Sequence, residues 1–98
     1  MEIRDIIWLD GIVEKIQTKH AVETWEVEEI LLGSPEFRRG GKGRQHGEDL
    51  YYALGQTETG RHLFIVFVRK HDDRALVLTA RDMSEREKKG FRRRERHV

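Results

Sequence analysis

The sequence contains no cysteine and a single proline among its 98 residues. The absence of cysteine excludes disulfide bonds, thiolate nucleophiles and cysteine metal sites. No apolar run approaches the length of about 18 residues that a membrane-spanning helix needs. The N-terminal stretch MEIRDIIWLDG has no basic leader segment and no small-residue cleavage site, so we expect no secretory leader. We therefore expect a cytoplasmic protein with no membrane association, folded as one domain over residues 1–98.

A large net charge is also lacking, since 19 basic residues nearly balance 18 acidic ones. The charges are nevertheless unevenly distributed along the chain. Residues 1–31 carry 3 basic and 8 acidic side chains, whereas residues 81–98 carry 8 basic and 4 acidic ones. This asymmetry predicts a basic surface for a polyanion or an acidic partner. The alternative is an ordinary solvated surface with a frayed basic tail at residues 92–98.

Hydrophobic periodicity predicts helices in the first third of the chain. A short strand at 3–9 ends at Asp10, which we expect to cap a helix over 11–20. A second helix follows Val22, with Thr24 as its expected N-cap.

The remaining chain is predicted to be mostly strands, ending in a helix. An edge strand at 36–39 and a glycine-rich turn at 40–47 precede strands at 49–57, 62–68 and 75–80. The motif Ser84-Glu85-Arg86-Glu87 matches the capping box that opens a helix. We expect an α+β fold: a strand, two helices, an antiparallel four-stranded meander and a last helix, with the helices stacked on one face of the sheet.

Two arginines at strand ends are candidates for binding an anion. Alternation along 62–68 places Arg69 on the face of Phe67, and alternation along 75–80 places Arg81 on the face of Val77 and Thr79. The sequence leaves open whether the two arginines lie at opposite ends of the sheet or reach one face. A salt bridge at a strand end would explain either arginine equally well.

Other polar residues are weaker candidates. Lys19 and His20 end the first helix, where a cation is favourable, and an imidazole can also transfer protons near neutral pH. Lys42 and Arg44 lie in the run GGKGRQHG and can contact phosphates without reading a sequence. Tyr51 and its neighbour Tyr52 point to opposite faces, so one is expected in the core while the other can stack on a base. The histidine–aspartate run at 71–73 indicates a turn, in which aspartate bonds the local backbone, rather than a metal site. We expect neither a metal nor a cofactor.

Three runs of sequence, in this order and spacing, resemble the BrnT family of toxins from type II toxin–antitoxin systems. The first is KHAVETWEVEEIL (19–31), in which Ala21 stands where the family commonly has glycine. The second is GEDLYYALGQTETGRHLFIVF (47–67). The third is ALVLTARDMSEREKKGF (75–91), in which Thr79 stands for the common serine. The resemblance covers nearly the whole chain.

The resemblance implies a RelE-like fold and a metal-independent endoribonuclease that inhibits translation. It also implies a messenger RNA substrate and a ribbon-helix-helix antitoxin that silences the toxin and can bring copies together in an oligomer. Two alternatives stay open: a non-catalytic module of the same fold that binds RNA or protein, and a decayed toxin kept only as an antitoxin's partner.

Metal-free cleavage of RNA by its ribose 2′-OH needs a proton acceptor, a cation for the phosphorane charge and a proton donor for the leaving oxygen. With the resemblance in view, we expect Arg81 to bind the scissile phosphate, with Arg69 beside it or on the next phosphate. His20 or Lys19 is the expected proton-transfer group, and Glu48 is a lesser candidate for the base. We expect the side chains that bind or steer the substrate to be Arg61, Lys42, Arg44 and Tyr52.

Overall fold

The protein is described by a computed structural model over residues 1–42 and 48–95, with side chains described except those of residues 42 and 93–95. The predicted α+β class is confirmed. In chain order the elements are β1 (Asp5–Ile7), α1 (Asp10–His20), α2 (Thr24–Leu31), β2 (Glu36–Lys42), β3 (Asp49–Gln56), β4 (His62–Arg69), β5 (Arg74–Asp82) and α3 (Glu85–Glu95). Residues 43–47 of the predicted turn lie outside the described residues, and α3 extends into the predicted tail at 92–98.

The sheet has five strands, where four were predicted, and it is mixed. Its strand order is β1-β5-β4-β3-β2. Strands β2 to β5 form an antiparallel meander, while β1 pairs in parallel with β5 and places Ile7 opposite Leu76. The predicted strand at 3–9 thus exists in shorter form, but it joins the edge of the meander. Local sequence signals reveal tight turns between neighbouring strands, and they carry no signal for a parallel partner almost seventy residues away.

Helices cover both faces of the sheet, so the prediction that they stack on one face is wrong. Helices α1 and α2 bury the larger core, in which Ile16 and Val27 pack with Ile65, Phe67 and other residues of the sheet. The other face carries a second, smaller core of Leu54, Met83 and Phe91, against which Tyr52 and Phe64 pack. Since Phe91 belongs to α3, the last helix lies across the opposite side of the sheet.

A β-bulge in β5 reverses the predicted face of its last residues. Val66 and Phe67 of β4 are neighbours, yet they pair with Thr79 and Val77, which leaves Leu78 as the extra residue. A bulge of one residue shifts the alternation of every later side chain. Arg81 therefore does not share a face with Val77, and β5 extends past Ala80 to include Arg81 within the strand. Lys15 of α1 donates to the carbonyl of Leu78 at 2.9 Å, which satisfies the acceptor that the bulge exposes.

The helix ends partly follow the predicted capping. The capping box before α3 is confirmed, because the Ser84 amide donates to Glu87 at 2.8 Å and the Glu87 amide donates to the Ser84 hydroxyl at 3.2 Å. The N-cap of α2 is Glu23 and not Thr24, and Asp10 lies inside α1 rather than capping it. Helix α1 ends at His20 and is capped by Ala21, which adopts the left-handed conformation with φ 52° and ψ 37°. Glycine favours this conformation because it lacks a Cβ.

Within the part of the chain that the structure describes, no helix combines the length and the apolar character that crossing a membrane demands.

Candidate active site

Arg61 joins four segments at one end of the sheet. Its guanidinium donates to both carboxylate oxygens of Asp82 at 2.8 and 3.3 Å. It also donates to the carbonyls of His20 at 2.9 Å and Ala21 at 2.6 Å, and to the Glu26 carboxylate at 3.0 Å. The last residues of α1, the first turn of α2 and the end of β5 are thereby held against the start of β4.

These five hydrogen bonds use all five N–H groups of the guanidinium. The Asp82 carboxylate raises the pKa of Arg61 and, in return, the hydrogen bonds from Arg61 hold the pKa of Asp82 below its usual value. Glu26, whose side chain is 8% exposed, depends on Arg61 for charge compensation. Because no N–H group of Arg61 remains for a phosphate, its position supports a structural role better than the predicted steering of RNA.

His20 belongs to the same end of the sheet, because its carbonyl and the Asp82 carboxylate accept hydrogen bonds from one guanidinium, that of Arg61. The hydrogen bonds from Arg61 are the main cause of the lowered pKa of Asp82, and Lys88 and His20 add smaller electrostatic contributions. Lys19 precedes His20 in the last turn of α1 and is exposed. Lys88 was not singled out from the sequence, because only the basic composition of residues 81–98 pointed to it. The sheet end thus combines an imidazole, an ammonium group and a carboxylate, contributed by α1, α3 and β5.

Arg81 is held in place by the first turn of α3, yet part of its guanidinium stays open. Its two terminal nitrogens donate to the two oxygens of Glu87 at 2.8 and 3.0 Å, and Nη1 also donates to the carbonyl of Asp82 at 3.0 Å. Glu87 raises the pKa of Arg81, and the hydrogen bonds from Arg81 lower the pKa of Glu87. The guanidinium carbon lies 4.3 Å from the centre of the Phe64 ring.

The remaining donors of Arg81 form a usable fork. Nε–H and the second N–H of Nη2 point the same way from a guanidinium, and among the described residues neither has a partner. Such a parallel pair matches two oxygens of a phosphate. The side chain is 39% exposed, so a phosphate can approach it while Glu87 keeps the guanidinium oriented. Among the three predicted arginines, Arg81 is best placed for a phosphate at the sheet end.

Arg69 does not join this group. It lies at the opposite end of β4, about 17 Å along the strand from the residue that pairs with Arg81. It also lies on the face of the sheet that α1 and α2 cover. There its guanidinium donates to the Asp73 carboxylate at 2.7 and 3.1 Å, and this carboxylate raises the pKa of Arg69. The prediction that Arg69 stands beside Arg81 is therefore not met, and the two arginines cannot bind one phosphate.

A shallow cavity of about 200 Å³ surrounds Arg69 at that far end. Its lining mixes both charge signs: Asp49, Tyr51, Arg69, Lys70, His71 and Asp73. Glu48, the lesser candidate for the base, pairs with Lys70 nearby and so lies far from His20. The described residues contain no group of three or more histidine, aspartate or glutamate side chains arranged to hold a metal ion.

The remaining predicted binding residues are only partly described. The backbone of Lys42 ends β2, its side chain is not described, and Arg44 lies outside the described residues. The prediction that Tyr51 and Tyr52 face opposite sides is confirmed, since they pack against different cores. The Tyr52 ring lies 5.1 Å from the Phe64 ring and covers Gly40, where a Cβ would come within 2.9 Å of it.

Comparison with known proteins defines the class to which this fold and site belong. Residues 8–87 match a family described as a ribonuclease toxin of a type II toxin–antitoxin system. The chain belongs to this family, the BrnT toxins. Membership implies an RNA substrate and an antitoxin partner. A search of curated proteins finds no match to the chain.

Proposed function

We propose that the chain is a metal-independent endoribonuclease that cleaves messenger RNA and so inhibits translation. The observation that carries this proposal is the open donor fork of Arg81 at the sheet end that also holds His20 and Lys88. A fixed, permanently charged fork suits the negative charge that develops on a phosphorane. Each role in the reaction then has a candidate among the protein's own side chains.

The reaction forms a bond between the ribose 2′-oxygen and phosphorus and breaks the bond from phosphorus to the 5′-oxygen. Arg81 donates to the non-bridging oxygens as their charge grows, and Lys88 supplies a second cation nearby. His20 accepts the proton of the 2′-OH or gives one to the leaving 5′-oxygen, since an imidazole exchanges protons near neutral pH. Lys19 remains the alternative proton-transfer group, one residue away. The products are a 2′,3′-cyclic phosphate and a 5′-hydroxyl.

The experiment incubates RNA with the purified protein in excess EDTA and identifies the new ends. We expect cleavage to persist, with 2′,3′-cyclic phosphate and 5′-hydroxyl ends. An RNA carrying one 2′-deoxyribose at the preferred cleavage position serves as the control and should resist cutting there. Cleavage that stops in EDTA, or that leaves 5′-phosphate ends, would contradict the mechanism.

The partner is proposed to be a ribbon-helix-helix antitoxin encoded beside the toxin, and the fold to be RelE-like. Expression of the chain with and without the neighbouring open reading frame tests the biological role. Growth arrest that the neighbour relieves supports a toxin. Binding of RNA without cutting it, and without growth arrest, favours the alternative of a non-catalytic module or decayed toxin.

A further inference from the structure

Helix α3 covers only one end of its face of the sheet. At the other end, directly paired residues on successive strands form a continuous apolar row: Ile7 pairs with Leu76, Leu76 with Val68, and Val68 with Leu50. Residues that pair directly across strands point to the same side of the sheet. Val66 lies on this side in the adjoining row, opposite Tyr52 and Thr79.

These five aliphatic side chains, here called the apolar shelf, lack a covering element among the described residues. All five are half-buried, and none belongs to either core or packs against one. The members of the shelf are Ile7, Leu50, Val66, Val68 and Leu76. By contrast, Leu54 and Met83, which form the smaller core with Phe91 of α3, are buried.

The shelf has the dimensions of one helix. Its main row crosses four strands, which spans about 14 Å at the usual strand spacing. Helix α3 runs across the strands too, since it follows β5 directly and its Gly90 approaches the guanidinium of Arg38 on β2. Helices that pack side by side lie about 8–10 Å apart. A second helix parallel or antiparallel to α3 would therefore rest on the shelf and contact α3 along its length.

The basic side chains of α3, next to the shelf, favour an acidic helix as the occupant. Residues 85–95 contain 6 basic and 3 acidic side chains. Glu85 and Glu87 already pair with Lys88 and Arg81. Within the described side chains, Arg86, Lys89 and Arg92 of α3 have no acidic partner. The complementary helix carries an apolar stripe for the shelf and acidic residues towards α3.

We infer that the apolar shelf docks an acidic amphipathic helix of the antitoxin, beside α3. This inference rests on the proposed function for the existence of that partner. RNA is a poorer occupant because aliphatic side chains offer neither hydrogen-bond donors to phosphates nor a π-face for bases.

The test uses Val68→Asp at the centre of the shelf, together with the purified product of the neighbouring reading frame that relieves growth arrest. Isothermal titration should show binding at least tenfold weaker than to the wild type. Val68→Thr, which is nearly isosteric and less disruptive to the sheet, should weaken binding to a smaller degree. Leu32→Asp is the matched control, since Leu32 is an apolar side chain 52% exposed outside the shelf, and it should bind normally.

RNA cleavage by each variant separates this inference from the proposed function. Val68→Thr should cleave RNA at the wild-type rate while escaping the antitoxin in part. Unchanged antitoxin affinity in folded Val68→Asp and Val68→Thr would overturn the inference and leave the ribonuclease proposal intact. The absence of any neighbouring product that relieves growth arrest would overturn it too. A wild-type dimer that dissociates on Val68→Asp would show that a second copy occupies the shelf. A wild-type protein that does not cleave RNA would instead overturn the proposed function.

Discussion

Replacing Arg61 with alanine should destabilise the fold far more than replacing any exposed arginine. The substitution removes five hydrogen bonds that join α1, α2, β4 and β5. It also leaves the carboxylate of Glu26, 8% exposed, without its cation. Breaking a buried ion pair from one side costs roughly 3–5 kcal/mol. Since Arg61 is itself 26% exposed, we expect the lower limit, about 3 kcal/mol.

Urea denaturation at neutral pH measures this cost. A loss of about 3 kcal/mol should lower the urea midpoint by about 2 M for a domain of this size. Arg74→Ala is the control, because Arg74 makes an exposed ion pair with Asp72 and should change stability by less than about 1 kcal/mol. An Arg61→Ala midpoint within about 0.5 M of the wild type would contradict a structural role for Arg61.

A double-mutant cycle then identifies the cause. Glu26→Gln removes the buried charge, so Arg61→Ala should cost less in that background by at least about 1 kcal/mol. Equal costs in both backgrounds would show that the charge of Glu26 contributes nothing, and that Arg61 acts through Asp82 and the carbonyls of His20 and Ala21.

Three further substitutions test single features of the fold and site. Ala21→Gly should raise the free energy of unfolding by about 0.5–1 kcal/mol in urea denaturation, because Ala21 has φ 52°; an unchanged or lower value would contradict this. Glu87→Gln should be less stable than the wild type at pH 7. Since the folded pKa of Glu87 is lowered, this difference should shrink as pH falls below about 4, and urea midpoints that differ equally at pH 7 and 3 would contradict it. His20→Ala should slow RNA cleavage by about 10²–10⁴-fold with an unchanged urea midpoint, whereas a wild-type rate would remove His20 from the chemistry.

The parts of the fold that local signals determine were predictable. Apolar runs bounded by turn residues marked β3, β4 and β5, and the Ser84 capping box marked the start of α3, because each signal depends on neighbours within a few residues. The bulge at Leu78 was not predictable, because an extra residue within an apolar run does not change the hydrophobic pattern of the sequence. The face chosen by α3 escaped prediction for a related reason. Strand β4 is apolar on both sides and accepts helices on either.

The candidate site was likewise predictable only in part. The sequence suggested Arg81 for the scissile phosphate, Arg69 for a place beside it or on the next phosphate, and Arg61 for steering RNA, because each is a permanent cation near a predicted strand end. Only the structure separates them, because all donors of Arg61 are used, Arg69 lies at the far end of the sheet, and Arg81 keeps an open fork. The contribution of Lys88 on α3 to the lowered pKa of Asp82 depends on the packing of α3, which no sequence spacing reveals.

The central claim is that the open fork of Arg81 stabilises the phosphate during cleavage. The most direct measurement is the single-turnover rate of RNA cleavage in EDTA for Arg81→Ala, with Arg74→Ala from the other end of the same strand as the control. Loss of such a donor should lower the rate by about 10²–10³-fold, while the control cleaves as the wild type does. A folded Arg81→Ala protein that cleaves RNA at the wild-type rate would contradict the claim.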